Sequence, residues 1–449
     1  MTTHAARVHR AVRQRRLARG LAAGLSLVLI GALAASATAA PLAHREVLDN
    51  GIHLLVAPRP AVPVVVVRAF VEAGSAFDPP DAAGLANLTA QLLTRGTARR
   101  TAPEIDRAIE FVGGTLESDA SRDGATVTLA VLKKDLELGL DLLAEVLMQP
   151  SFPEDEIKRK ASDIEAELKR SEESPETVGG RALARLLYPG HPYAHPVPGT
   201  VGSVSRLTRQ QITGFHRSRY RPDATILAVV GDVTVDGVRQ GLSHRLGGWA
   251  APSEPKLVVL NTPDAPPVVS ETISRELTQA TVLLGRPGIA QNHPDYFPLV
   301  VANYVLGGGS ASHLYVRVRE DAGLAYYVGS AVSPGRYGSS YTVSLQTRVD
   351  AVGEAVRLVK AEMTRMQTTP TAEREIDLAR SYLISSFPLR LDTSGKVAEM
   401  LIAIEEYGLG LDYPDRFKTE IAKVTPADVA RVAARYMNPA TFSTVTVTK

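Results

Sequence analysis

Two rhythms of apolar residues run along the chain. Val64-Val65-Val66-Val67-Arg68-Ala69-Phe70-Val71 is a β-branched run of the kind that makes a well-buried strand. Thr126 to Leu132 alternates small polar with apolar side chains, which predicts a strand with one face on a core. Between Pro153 and Arg170 the rhythm changes. There Ile157, Ala161, Ile164 and Leu168 recur at three- and four-residue steps in a charged background, which predicts an amphipathic helix. The segment Gly84-Leu85-Ala86-Asn87-Leu88-Thr89-Ala90-Gln91-Leu92-Leu93 opens another helix. Strands grouped with intervening helices predict α+β domains with helices packed on one sheet face.

The pattern divides the chain. Residues 41–250 form a first half and residues 268–449 a second, joined by a Pro-rich linker over residues 251–267. The halves resemble each other at their ends. Leu207-Thr208 leads through a helix to Arg219-Tyr220-Arg221-Pro222-Asp223-Ala224-Thr225. Val424-Thr425 leads likewise to Arg435-Tyr436-Met437-Asn438-Pro439-Ala440-Thr441. This repeat points to a duplicated domain. A length of 449 residues, 45% of them hydrophobic and 22% charged, suits two globular domains with real cores.

The first forty residues stand apart. Arg7, Arg10, Arg13, Arg15, Arg16 and Arg19 precede an apolar run from Leu21 to Ala35 and the small-residue stretch Ser36 to Ala40. This reads as a signal peptide over residues 1–40, cleaved near Ala39 or Ala40; the alternative is an uncleaved anchor. The mature chain is then expected in the periplasm or outside the cell, with no stable membrane insertion. Removing six arginines turns a net charge of +2 into −4, so no nucleic-acid partner is implied. The absence of cysteine excludes disulfides, thiolate metal sites and a cysteine nucleophile.

Three residues of the helix opening at Gly84 carry the chemical question. Asn87, Ala90 and Gln91 stand at i, i+3 and i+4 and share one face. An inverted zincin has His, Glu and His at that spacing. Other motifs are weaker. His191 and His195 are four apart, but Pro192 and Pro196 forbid a regular helix there, so both read as loop residues. Gly307-Gly308-Gly309-Ser310 lacks the ending of a phosphate loop and reads as a flexible turn. No Gly-x-Ser-x-Gly elbow is present.

A longer series of elements points further. Gly74-Ser75-Ala76-Phe77-Asp78 precedes the helix, and Thr94-Arg95-Gly96-Thr97 and Val112-Gly113-Gly114-Thr115-Leu116 follow it. Then come the acidic segment around Glu165 and Glu167, and His191-Pro192-Tyr193-Ala194-His195-Pro196. The second half supplies Leu306-Gly307-Gly308-Gly309-Ser310 and Val318-Arg319-Glu320-Asp321-Ala322-Gly323-Leu324-Ala325-Tyr326. In this order they resemble the insulinase (pitrilysin) zinc peptidases, a family that includes the mitochondrial processing peptidase and bacterial periplasmic relatives.

The resemblance implies two homologous domains, each a mostly antiparallel sheet with helices packed on it. In that family the helix carries His-x-x-Glu-His, and a glutamate about 75 residues on completes the zinc site. The matching positions here are Asn87, Ala90, Gln91 and Glu167, with Glu165 as the other candidate. Zinc takes imidazole, thiolate or carboxylate ligands, not neutral amides. Ala90 has no group to accept a proton from metal-bound water. The expectation is therefore no zinc or other cofactor on this chain and no hydrolysis by it alone. Without the resemblance, Asn87 and Gln91 read as solvated helix residues and Glu167 as a surface acid.

The resemblance also implies that Arg319 and Tyr326, seven apart at a helix–strand join, reach a substrate carbonyl. As hydrogen-bond donors they suit a carbonyl that becomes an oxyanion. Some bacterial relatives pair such a subunit with one whose zinc motif is intact. The expected function is a non-catalytic subunit of a heterodimeric zinc peptidase. It would offer Arg319 and Tyr326 to a partner with His-x-x-Glu-His acting on peptides or unfolded polypeptides. The competing expectation is a binding or scaffold protein of the same fold with no part in proteolysis.

Overall fold

The computed structural model describes residues 41–253, 260 and 265–449. The predicted signal peptide and residues 254–259 and 261–264 of the predicted linker lie outside that range. The chain divides into Met1–Leu42 and Ala43–Lys449, and both sheets belong to the second unit.

The first sheet has six strands: β1 (His44–Val47), β2 (His53–Pro58), β3 (Val64–Val71), β4 (Thr115–Ala120), β5 (Ala125–Leu132) and β6 (Thr225–Gly231). Their spatial order is β1-β2-β6-β3-β5-β4. The valine run is β3, and it sits between β5 and β6, with Val67 opposite Leu129 on one side and Val229 on the other. Val65, Val67, Ala69 and Val71 are fully buried, and Val66 and Phe70 nearly so, which is why the run needs no polar alternation. In β5 the predicted alternation appears as buried Val127, Leu129 and Val131 between partly open Thr128 and Ala130. The amphipathic helix is Glu154–Ser171, burying Ile157, Ile164 and Leu168.

The second sheet contains β7 (Ser270–Ser274), β8 (Gln279–Pro287), β9 (Ala325–Ser333), β10 (Ser340–Arg348) and β11 (Ser443–Thr448), in the order β7-β11-β8-β10-β9. Without β1, the first sheet has the same path. β2 is parallel to β6 as β7 is to β11, and every other step is antiparallel in both. The helices before the last strands match too. Arg209–Arg219 and Pro426–Tyr436 each start at a threonine in a capping box, Thr208 with Gln211 and Thr425 with Asp428. The duplication read from two short segments thus extends to strand order.

Each half lends a helix to the other. Pro175–Leu187 packs on β8 and β11 of the second sheet, and Ser394–Glu406 packs on β6 and β3 of the first. Small residues allow the approach. A Cβ on Gly285 would lie 2.8 Å from Leu183, and one on Gly179 would lie 3.0 Å from Leu283. Polar contacts fix the end of the lent helix. Glu405 accepts two bonds from Arg45, at 2.8 and 2.7 Å, and lies 2.6 Å from His53. The Arg45 guanidinium, and then His53, hold the Glu405 carboxyl below its ordinary range against the opposing cost of burial.

Leu401 is fully buried where Ser394–Glu406 meets the first sheet. Leu401→Ala is expected to cost about 2–5 kcal/mol of stability, the range for emptying a packed leucine site. A urea unfolding midpoint unchanged by this substitution would show that the lent helix is not seated as described.

Candidate functional site

The helix Leu85–Leu92 is held at its entrance by the chain around it. Both oxygens of buried Asp78 accept backbone N–H bonds, from Gly84 and Ala86, at 2.8 Å each. Burial pushes the Asp78 carboxyl up to about 7, although these two amides pull the other way. Gly84 takes φ 95° at the start of the helix, and a Cβ there would lie 2.7 Å from the Pro198 carbonyl. Ser118 on edge strand β4 donates to the Ala90 carbonyl at 2.7 Å.

This brings Asn87 and Gln91 to a cleft of about 760 Å³. Glu167, from Glu154–Ser171, lines the same cleft, as do Arg122, Arg181 and His195. Glu165 and Ala90 do not, and Ala90 is fully buried behind the cleft wall. The expectation that Asn87 is a solvated helix residue is corrected. It is 6% exposed, and its Oδ1 accepts from Gln91 Nε2 at 3.3 Å. The apolar side of the helix packs inward and draws Asn87 under the neighbouring chain, while Gln91 remains half-buried.

This donor set does not fit zinc. The two carboxamides bond to each other and carry no charge to offset a divalent cation. The Glu167 carboxylate is 68% exposed and pairs with Arg170 at 2.6 Å. Among the described residues no group of three or more His, Asp or Glu is arranged to hold a metal ion.

His191 and His195 flank a short 3₁₀ turn, Pro192–Ala194. His195 faces both the main cleft and an adjoining cavity of about 480 Å³. Burial lowers its affinity for a proton. Sequence reading missed Arg122 and Arg181 as cleft residues. Arg122 stacks on Tyr193 at 5.4 Å, and Arg181 donates to Glu172 at 2.5 Å and Ser171 at 2.6 Å. Nothing in their spacing from Asn87 announced this.

Arg319 and Tyr326 lie elsewhere. The cleft is lined only by residues 87–198. Arg319 sits in a π-helix, Tyr315–Asp321, and Tyr326 is the second residue of β9, the edge strand of the second sheet. The Arg319 guanidinium lies 4.8 Å from the Tyr315 ring centre and 5.7 Å from that of Tyr326. Tyr326 is 73% exposed. Among the described residues Arg319 pairs with no carboxylate. The glycine turn before it differs from expectation. Gly307 ends the helix Tyr296–Gly307, and a Cβ on it would lie 2.5 Å from Ser330 Oγ and 2.7 Å from Ser330 N. It allows close packing on β9 rather than flexibility.

Comparison with known proteins decides the family. Residues 55–201 match the profile described as insulinase (peptidase family M16), and residues 206–383 match the peptidase M16 inactive domain. An uncharacterized zinc protease of Mycobacterium leprae is 30% identical over 358 residues, covering 78% of this chain and 79% of the relative. The chain belongs to the insulinase family. Another relative, an uncharacterized zinc protease of Bacillus subtilis, is 24% identical over 78% of this chain and 85% of its own. The crystal structure of a peptidase M16 inactive domain from Pseudomonas fluorescens superimposes with TM-score 0.85 at 26% identity, over 90% of this chain and 97% of its own. A protease from Helicobacter pylori shares the fold, with TM-score 0.83 at 21% identity, over 91% and 100%.

The two halves of the chain meet on buried acids. Glu72 accepts from the Tyr337 hydroxyl and pairs with Arg336 at 3.0 Å. Asp123 accepts from the Tyr193 hydroxyl and from the Arg336 backbone N–H at 3.2 Å. Glu406, at the end of the lent helix, faces a cavity of about 140 Å³ shared with Glu72, Arg336, Glu405 and His53. Its Oε1 is enclosed and has no hydrogen-bond partner among the described residues. Burial, helped by the Asp123 and Glu72 charges and opposed by Arg336, pushes its carboxyl up to about 8.

That shift has a sign. Folded Glu406 keeps its proton to a higher pH than the unfolded group, whose value is 4.5, so its contribution is complete below 4.5 and is lost as pH rises towards 8. Buried Asp78 acts in the same direction between 3.8 and about 7. Stability is expected to fall with rising pH across this window, by up to about 1.4 kcal/mol per pH unit from Glu406. Glu406→Gln should flatten the slope of melting temperature against pH between 5 and 8; equal slopes in the two proteins would refute the assignment.

Proposed function

We propose that the chain is the non-catalytic subunit of a heterodimeric zinc peptidase. In this reading its partner is an insulinase-family subunit with an intact His-x-x-Glu-His, and the zinc belongs to that partner. The substrates are peptides or unfolded polypeptides. Arg319 and Tyr326 donate hydrogen bonds to the substrate carbonyl as it becomes an oxyanion. The leader argues for a periplasmic or secreted setting.

One contrast carries the reading. The Asn87–Gln91 pair has the chemistry to satisfy itself but not to ligate zinc, while Arg319 is without an acid partner among the described residues and stands beside an exposed tyrosine. Stacking on aromatic rings occupies the faces of a guanidinium and leaves its N–H edge for a ligand. A chain with no chemistry of its own would have little reason to keep a half-buried cation ordered by rings and unneutralised. A partner's reaction centre supplies that reason. The zinc-protease names of the relatives support the class of reaction.

The test is reconstitution with an intact family member from the same source. Peptidase turnover should rise on mixing, and Arg319→Ala or Tyr326→Phe should lower it at least about tenfold, as loss of one oxyanion donor does elsewhere. Unchanged turnover on mixing, or unaltered activity in both variants, would reject the proposal. A second experiment concerns the emptied helix. Asn87→His, Ala90→Glu and Gln91→His together should restore tight zinc binding, measured as metal retained after dialysis. Adding Glu167→Ala should weaken it, and equal retention with and without Glu167 would remove that residue from the site.

A further inference from the structure

We propose that His313 is the positioning residue of the Arg319–Tyr326 pair, an inference that rests on the role given to that pair above. Residues 308–314 connect Tyr296–Gly307 to the π-helix that carries Arg319. The end of this connection is buried: Ser312 is 2%, His313 9% and Leu314 0% exposed. A histidine inside such a segment needs polar partners. It has one hydrogen-bond partner and one nearby carboxylate, on two different helices. Its Nε2 lies 3.2 Å from Glu375 Oε1, in the first turn of Glu373–Ser386. Its Nδ1 lies 3.7 Å from Glu362 Oε2, on Val352–Thr368, a charge contact without a hydrogen bond among the described residues.

Neither acid is free to follow the ring. Glu375 also accepts the Ala372 backbone N–H at 3.1 Å, closing the start of its helix. Glu362 also pairs with Arg365 at 3.2 Å. The imidazole is thus bonded to one carboxylate and flanked by a second, two residues before the π-helix begins. Beyond the π-helix the chain is fixed again. The Leu324 N–H reaches the Val318 carbonyl at 3.0 Å, and Thr347 Oγ1 donates to the Leu324 carbonyl at 2.5 Å.

A π-helix is a rare and poorly self-stabilised turn, so its shape depends on what holds its ends. Here the rear end is held by β10 and the front end by His313. Between them the turn sets Arg319 over Tyr315 and beside Tyr326. Releasing the front clamp lets the turn relax toward an ordinary helix. That rotates Arg319 away from Tyr326 without unfolding the domain, since the core below it is formed by Val318, Leu314 and the sheet.

The test uses the reconstituted complex with dye-labelled reduced casein as substrate. His313→Ala is expected to lower kcat about tenfold with KM changed less than about twofold, the signature of a misplaced transition-state donor. His313→Gln, which keeps an N–H for Glu375, is expected to recover much of the loss. In an Arg319→Ala background His313→Ala should add no further loss. A loss at Arg319 with none at His313 overturns this inference and leaves the proposed function standing. A loss at neither overturns the proposed function. In that event trypsin cleavage after Arg317 and Arg319 in the isolated chain decides the clamp: a rise of about fivefold or more in His313→Ala at unchanged melting temperature supports it, and an unchanged rate overturns it.

Discussion

The constraint on which the rest depends is the exchange of helices between the halves. A sheet five or six strands wide has an apolar face that must be covered. Here part of each cover comes from the other half of the chain, so neither sheet is sealed until both have formed. The exchange also fixes where polar groups are trapped. The end of Ser394–Glu406 brings Glu405 and Glu406 to the first sheet, where Arg45, His53 and Arg336 face them. Apolar burial holds the halves together, while unequal numbers of buried acids and bases make that hold sensitive to protons.

The helix Leu85–Leu92 presents a face to a cleft but no set of donors that suits a metal ion. Asp78 satisfies two buried backbone amides at its entrance, and Gly84 lets the Pro198 carbonyl pass at a distance no side chain would allow. These features place a helix face beside a cleft whatever the face contains. On this face the donors a metal would need are missing at Asn87, Ala90 and Gln91. The amide pair accepts its own hydrogen bond and asks for no ion. The architecture is a property of the family fold; the chemistry is a property of three side chains.

Much of this was legible along the chain. The valine run declared a doubly buried strand because only a central strand tolerates eight residues with so little polar relief. The repeat at Thr208 and Thr425 was legible because capping boxes are local and sequence-encoded. The helix exchange was not legible. An amphipathic pattern says that one face is covered, but not by which sheet. The burial of Asn87 escaped for a related reason: three- and four-residue spacing places it beside Gln91 but does not say how deeply the entering chain covers the first turn. Glu72, Asp123 and Glu406 were invisible as a group, since they are lone acids on separate elements that only the assembled halves bring together.

Arg319 shows how the two levels meet. The seven-residue step from Arg319 to Tyr326 was readable, but the step alone fits many shapes. In a regular helix followed by a strand the two side chains need not meet. The π-helix makes one turn wider, and with Tyr315 on the same turn the guanidinium rests between aromatic neighbours instead of finding a carboxylate. Arginines elsewhere in the chain pair with acids three residues away, as Arg357 does with Glu354 and Arg170 with Glu167. Such a pair is satisfied, and its exposed charge is worth little to a ligand. An arginine ordered by rings keeps its full complement of N–H donors. Order without neutralisation is what recognition of a developing negative charge requires.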